Sequence, residues 1–268
     1  MKPKDLIGIP WMLAFALRAD GWYLRQDIIW AKPNPMPESV KDRCTKSHEY
    51  IFLLSKSARY YYDNEAVKEP SASPVRDSNP IPYSQLNQNG GKDTQRLGSG
   101  NPDGRNKRDV WTVTTKPYKG AHYATFNPDL IKPCILAGAP ETCCAKCGAP
   151  YERVVERDRK ARNELPKDDP RYRPNTYHGS YENINGKGDA GYTFTQTLGF
   201  EPTCDCNAGT SSGIVFDPFV GSGTTVATAI QLGRKGIGLD LSLTYLYENA
   251  KDRIKAEMLP LLTLIEQE

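Results

Sequence analysis

A short stretch near the C-terminus combines a carboxylate, two glycines and two threonines in the order DPFVGSGTT, residues 217–225. The apolar run IVF precedes it and predicts a buried strand that ends at Asp217. The glycines allow the backbone to turn tightly beside a ligand, because they carry no Cβ. A second acid, Asp240, ends the next predicted strand, about 20 residues further on. The spacing predicts a strand, a glycine turn, a helix and a strand, with an acid ending each strand, which suits a nucleoside.

The residues of this turn indicate which kind of nucleoside-containing ligand it binds. A dinucleotide-binding turn needs a third glycine where Val226 stands, and a P-loop needs a Gly-Lys-Ser/Thr element, which is missing here. The carboxylate of Asp217 would repel a phosphate but attract a sulfonium or an amino group. We therefore predict S-adenosylmethionine as the ligand. The alternative, an ordinary turn whose glycines serve only packing, leaves Asp217 and Asp240 unexplained.

Four segments resemble the DNA methyltransferases that modify the exocyclic amino group of adenine or cytosine. They are DPFVGSGTT itself, WAKPNPMP at 30–37, HEYIFLLSKS at 48–57 and HYATFNP at 122–128. The resemblance implies a permuted order in which the catalytic half comes first, and S-adenosylmethionine as the cofactor. The cofactor residues that it implies are Phe126, Asp217, Pro218, Phe219, Gly221, Ser222, Gly223, Thr224 and Asp240. For Phe126, a plain core role is the alternative.

The catalytic motif of that family is not found in these 268 residues. It is an Asp- or Ser-Pro-Pro element followed by an aromatic residue, at the end of the strand before the first helix. Asn34-Pro35-Met36-Pro37 has the wrong spacing. We therefore expect that Met1 lies just downstream of the motif, that no catalytic residue lies in the chain, and that a separate N-terminal half carrying the motif is a partner.

Residues 66–120 are polar and rich in Gly, Pro, Ser and Asn. They contain nine Lys/Arg and five Asp/Glu, a net charge of +4, whereas the whole chain has +3. Cations that contact phosphates and base edges predict a target-recognition loop for double-stranded DNA. The candidate contacts are Arg96, Arg105, Lys107 and Arg108. The alternative is a solvated, mobile loop.

The seven cysteines include two close pairs, Cys144 with Cys147 and Cys204 with Cys206. Two such pairs supply the four thiolates of a structural zinc site, in which no position stays open for water. Cys143 is the rival of Cys144 for the first ligand. Disulfides and unrelated free thiols are the alternatives, and an odd number of cysteines disfavours a disulfide framework.

The helices and strands that position these residues are predicted from the spacing of apolar residues and from the glycines and prolines that end such elements. Helices are predicted at 4–18, with Gly8 and Pro10 weakening the first turn, and at 130–138, 224–233 and 243–259. Strands are predicted at 23–30, 48–55, 60–63, 111–115, 214–217 and 235–240. The charge-rich segment 151–173 is predicted to be a solvated helix or arm.

The predicted fold class is α/β, a Rossmann-like methyltransferase sheet with an inserted zinc ribbon and recognition loop. The resemblance implies that the central strand, between those ending at Phe216 and Trp30, and an edge strand beyond Asp240 are missing. The predicted regions are a catalytic-half remnant at 1–65, the recognition loop at 66–120, a cofactor-pocket segment at 121–139, the zinc ribbon at 140–210 and the cofactor-binding half at 211–268.

No apolar run approaches the ~18 residues of a membrane span, which predicts a cytoplasmic protein without a membrane partner. The leading hypothesis is part of a DNA adenine or cytosine amino-methyltransferase, inactive alone. A catalytically dead zinc-ribbon DNA-binding or regulatory protein on a methyltransferase scaffold is the second hypothesis. A small-molecule methyltransferase is the third, and the basic loop disfavours it.

Overall fold

The computed structural model describes residues 2–70, 104–115, 125–160, 164–169, 172, 192–242, 244 and 246–254. The described residues belong to two units. The first draws on Met1–Val67, Arg108–Glu152 and Glu201–Glu268, and the second on Lys68–Lys107 and Arg153–Phe200. In the part of the chain that is described, no helix is both long enough and apolar enough for a membrane crossing.

The described elements of the chain are a mixture of helices and strands. In chain order they are α1 (Ile9–Ala19), β1 (Tyr23–Ala31), β2 (His48–Ser55), a 3-10 turn (Glu65–Val67), β3 (Val110–Thr112), α2 (Pro128–Gly138), β4 (Cys143–Cys144), β5 (Tyr151–Lys160), β6 (Tyr192–Pro202), β7 (Thr210–Ser211), β8 (Ile214–Asp217), α3 (Thr224–Gln231), β9 (Lys235–Gly238), a π-helical turn (Leu246–Ala250) and α4 (Lys251–Ile254).

The N-terminal part forms a three-stranded sheet in the order β2, β1, β3. Strand β1 pairs antiparallel with β2 along its length, and parallel with β3 only from Ile29 to Ala31. Helix α1 packs its Trp11 ring edge-on against Tyr50 and Phe52 of β2. The helix begins at Ile9 rather than residue 4, because Gly8 adopts a positive φ of 73° directly before it.

The C-terminal part forms a second sheet from the parallel strands β8 and β9, with Asp217 opposite Gly238. Helix α3 connects these strands and packs on α2 through a core of Ile135, Ala139 and Ala229. The mixed α/β class predicted from the sequence is therefore confirmed. Within the described residues no strand joins the two sheets, and the interrupted single sheet stays a prediction.

Two predicted elements are wrong. Residues 60–63 form no strand, because β2 pairs with β1 instead and the Asp63 N–H donates to the Ala137 carbonyl at 2.9 Å. In the segment 151–173, predicted to be a solvated helix or arm, residues 151–160 form the strand β5, paired with β6, and not a helix. The last helix, predicted at 243–259, is helical at residue 244 and from Leu246 to Ile254, with a π-helical turn over Leu246–Ala250, and residues 243, 245 and 255–259 lie outside the described residues.

Candidate functional site

The glycine turn after β8 is buried and held from two sides. Every residue from 220 to 229 is buried. Gly223 caps α3 with a φ of 77°, and a Cβ there would lie 2.6 Å from Ile254 Cδ1. A side chain at position 223 is therefore excluded by backbone conformation and by packing. The sequence indicated that this glycine serves close ligand approach, whereas the structure places its free side against the C-terminal helix.

The two predicted acids lie at the carboxyl ends of neighbouring parallel strands. Oδ1 of Asp217 accepts from the Phe219 N–H at 3.0 Å. Oδ2 of Asp240 accepts from the Gly221 N–H, and its Oδ1 accepts from the Ser242 N–H, both at 3.1 Å. Both acids are half-buried, and an ionised carboxylate has about four lone-pair sites, so each can still accept bonds from a ligand.

The loop between β8 and the turn lies against β9. The Val220 N–H donates to the Leu239 carbonyl at 2.9 Å. A Cβ on Gly238 would lie 2.5 Å from Val220 Cγ2, so only glycine allows this approach. Pro218 is exposed, and the ring of Phe219 is 85% exposed beside Asp217. The exposed ring and the two acids form the accessible part of the predicted cofactor site.

Ser222 and Thr224 contact an arginine that sequence reasoning missed. Both residues are only 3% exposed, and Nη1 of Arg253 donates to Ser222 Oγ at 3.1 Å and to Thr224 Oγ1 at 3.0 Å. It also donates to the Ser222 carbonyl at 3.3 Å. The periodicity predicted the helix that carries Arg253, but no spacing in the sequence indicates that this face meets the glycine turn.

Phe126 is half-buried against a separate core cluster. The buried members of that cluster are Ile28, Trp30, Trp111 and Leu130. The next residue, Asn127, is 2% exposed, accepts from the Asp129 N–H at 3.1 Å as the cap of α2, and donates to the Thr114 carbonyl at 3.1 Å. This cap was missed, although Asn before Pro-Asp is a typical helix start. The structure therefore shows Phe126 in the alternative role named above, as a residue that packs against the hydrophobic core.

Four thiols meet where β4 and β7 pair. The Sγ atoms of Cys144, Cys147, Cys204 and Cys206 all lie within 4.8 Å of one another. Tetrahedral Zn–S bonds of ~2.3 Å require sulfur–sulfur distances of about 3.8 Å, so small side-chain shifts reach that geometry. Cys143 is outside this set, which favours Cys144 over its rival. Gly148, with a φ of 73°, donates its N–H back to the Cys144 carbonyl at 2.9 Å.

The thiols of this cluster differ in acidity. The backbone N–H groups of Cys147 and then Lys146 hold the pKa of Cys144 down to about 6. Hydrogen bonds with the Cys147 and Cys204 side chains raise the pKa of Cys206 to about 12. The Cys144 thiolate therefore forms readily, whereas its neighbours in the cluster oppose ionisation of Cys206.

The predicted DNA contacts are distributed over both units. Arg96 lies outside the described residues. Arg105 Nε donates to Glu69 Oε1 at 2.9 Å, and the two backbones exchange hydrogen bonds of 2.9 and 3.0 Å. Lys107 is half-buried, and Arg108 is exposed, with its carbonyl accepting from Trp111 Nε1 at 2.6 Å. Arg105 therefore closes the base of its own loop in the described structure.

The fold and the site define a mixed α/β chain with a glycine turn between acids at the carboxyl ends of parallel strands. The model of the N6_N4_Mtase family, described as DNA methylase, matches residues 5–142 and 207–251, well over half of the chain. The chain belongs to this family.

Two curated relatives are type II methyltransferases. M.Cfr9I from Citrobacter freundii is 56% identical over 137 residues, 51% of this chain and 36% of the relative. M.SmaI from Serratia marcescens is 50% identical over 139 residues, 52% of this chain and 39% of the relative. The chain thus spans little more than a third of the length of these relatives. A solved structure, the M1.HpyAVI complex with SAM, is similar with a TM-score of 0.45 and 16% identity, over 92% of this chain and 70% of that one.

Proposed function

We propose that this chain is the cofactor-binding part of a DNA amino-methyltransferase that methylates adenine or cytosine. The observation that carries the proposal is the pair of acids, Asp217 and Asp240, at the carboxyl ends of β8 and β9 on either side of the glycine turn. Open α/β sheets bind ligands at this edge. The membership of the chain in a family of DNA methylases supports DNA as the substrate.

The residues at this edge fit S-adenosylmethionine. Bound there, it supplies a methyl group on a positively charged sulfur. Asp240 accepts hydrogen bonds from ribose hydroxyls with the lone pairs that Gly221 and Ser242 leave free. Asp217 attracts the cationic end, and the exposed Phe219 ring covers an apolar part of the ligand. Ser222 and Thr224 act through the shape of the turn, since both are buried.

We further propose that a separate N-terminal half with the catalytic motif completes the enzyme. Its acceptors would take the hydrogens of the target amino group, and they are lacking among these 268 residues. The described strand edges support this. Strand β8 pairs only with β9, and the β1 edge opposite β2 is paired only from Ile29 to Ala31 within the described residues. Ile214 and Phe216 are 61% and 54% exposed, although parallel strands are normally covered on both faces. A central strand from the N-terminal half would pair with these edges.

The cysteine cluster is proposed as a structural zinc site. Zinc would join Cys144 and Cys147, which precede strand β5, to Cys204 and Cys206, which follow strand β6. Four thiolate ligands leave no position open for water, so the metal would stabilise the fold rather than take part in methyl transfer. The regions proposed for the chain keep the boundaries predicted from the sequence, with the basic segment 66–120 as the recognition loop for double-stranded DNA.

A titration and a transfer assay test the proposal. Calorimetry of the purified chain with S-adenosylmethionine should give saturable 1:1 binding. Incubation with methyl-labelled cofactor and mixed-sequence duplex DNA should give no labelled DNA. Binding of DNA without any binding of cofactor would instead support the degenerate DNA-binding scaffold. Labelled DNA from the chain alone would refute the proposed division of the enzyme.

A further inference from the structure

The charges of β5 are separated by sign because β5 is a strand. Successive side chains of a strand point to opposite faces. One face of β5 therefore carries Arg153, Val155, Arg157 and Arg159, and the other carries Glu152, Val154, Glu156, Asp158 and Lys160. The first face holds three positive charges and no negative charge. A segment that is mixed in sequence thus becomes basic on one side in the folded chain.

The arginines of this face differ in what they contact. Arg153 is half-buried, stacks its guanidinium over the Phe200 ring at 4.8 Å and donates to Thr197 Oγ1 at 3.1 Å. Arg157 and Arg159 are exposed, and neither forms an ion pair within the described residues. On the opposite face, Lys160 pairs with Asp158 at 3.4 Å. The two outer arginines therefore keep their hydrogen-bond donors available, while the opposite face neutralises part of its own charge.

We propose that Arg157 and Arg159 form a phosphate-binding face for DNA, with Arg153 holding that face on β6. The two residues are about 6.8 Å apart along the strand, so they reach different phosphates of a DNA strand, which follow every ~3.4 Å of its axis. Arginine suits this task because its planar group presents several donors to phosphate oxygens. The inference rests on the proposed DNA substrate and adds a contact surface outside the recognition loop. These contacts strengthen binding without selecting a sequence.

Three single substitutions test the inference: Arg157→Gln, Arg159→Gln and Lys160→Gln. Each removes one positive charge from β5, but Lys160 is on the opposite face and serves as the matched control. The affinity of the full chain for a fluorescent mixed-sequence duplex is measured by anisotropy over a series of salt concentrations. Each lost phosphate contact should make the slope of log K against log salt shallower by about 0.9. We expect this change for both arginine variants and not for the control.

The outcomes separate this inference from the proposed function. Equal slopes for wild type and both arginine variants would overturn the inference and leave the proposed function intact. If the slope for Lys160→Gln becomes as shallow as the slopes for the arginine variants, the effect depends only on the net charge of the chain. That result would also overturn the inference. No binding of DNA by the wild type at low salt would overturn the inference as well, while the cofactor titration decides the methyl-donor site independently. Unchanged melting temperatures verify that the variants fold.

Discussion

At the scale of single residues, the proposed site depends on Asp217, the last residue of β8, and on Asp240, two residues after the end of β9. Each acid already accepts a backbone hydrogen bond inside the protein, so each shapes its own loop as well as the ligand surface. A substitution must keep that internal acceptor if it is to report on the ligand alone. Asparagine keeps one acceptor oxygen, which suffices for the single backbone N–H at Asp217, but at Asp240 it can accept from only one of the N–H groups of Gly221 and Ser242.

Asp240→Asn should weaken S-adenosylmethionine binding about tenfold or more, because a neutral amide bonds the ribose hydroxyls less strongly than a carboxylate does. Calorimetry measures the change. Glu248→Gln is the control, since it removes an exposed acid from the π-helical turn. Equal affinities for wild type and Asp240→Asn would contradict the assignment of Asp240 to the ribose.

At the scale of elements, the C-terminal helix completes the glycine turn. Ile254 fills the space that a side chain at 223 would need, and Arg253 bonds to both hydroxyls that flank Gly223. The turn is thus held on one side by Asp240 and on the other by Arg253. Its conformation depends on a helix that is remote from it in the sequence.

Arg253→Gln should loosen the turn, because hydrogen bonds from a charged donor to Ser222 and Thr224 are lost. We expect faster hydrogen exchange of the amides at 220–226 in the cofactor-free chain, and about fivefold weaker cofactor binding. Lys251→Gln is the matched control on the same helix, where Lys251 Nζ lies over the Tyr247 ring at 4.9 Å. Unchanged exchange in Arg253→Gln would show that Asp240 and packing suffice to hold the turn.

The cysteine cluster makes a second prediction for an element. The purified chain should contain about one zinc per molecule by elemental analysis, and Cys206→Ser should lose it and melt at least ~4 °C lower, since a structural zinc stabilises the fold. Cys44→Ser, at an exposed cysteine outside the cluster, should retain both the zinc and the melting temperature. A wild-type chain without zinc, grown with the metal supplied, would contradict the proposed site.

At the scale of the whole molecule, the edge segments of β1 and β8 that have no partner strand among the described residues predict that a second polypeptide can complete the sheet. Co-expression with an N-terminal half that carries the catalytic motif should yield a stable complex on gel filtration, and that complex should transfer labelled methyl groups to DNA. The physical reason is that a strand pairing with β1 and β8 would satisfy backbone N–H and C=O groups on edge segments that have no strand partner within the described residues. Failure of the two polypeptides to associate would contradict the proposal that a strand of the N-terminal half pairs with β1 and β8. As a control, a half whose motif is mutated should bind without restoring transfer.

Local sequence patterns predicted much of the fold because their causes are local. Strand β1 extends one residue beyond its prediction, β2 has the predicted bounds, and α2 begins two residues early, at Pro128. Apolar runs, glycines and prolines act on their own neighbours, so these elements follow from the residues themselves. The predicted order of strand, glycine turn, helix and strand at 214–240 is also present, as β8, α3 and β9.

Features that need distant partners were outside the reach of sequence reasoning. Tyr60–Asp63 has the composition of a strand, but β2 already pairs with β1 and the segment bonds to α2 instead. Segment 151–160 has a helix-like mixture of charges, yet its pairing with β6 makes it a strand. That change from a period of 3.6 to a period of two separates the arginines from the acids.

The sequence by itself determined the glycine turn, its two acids and the two cysteine pairs, because the types and short spacings of those residues carry the chemistry. Only the tertiary structure decided that Cys144, not Cys143, joins the other three thiols, and that Arg253 and Ile254 support the turn. It also decided which face of β5 is basic. Each of these contacts joins residues that are far apart in the chain, and packing rather than local propensity brings them together.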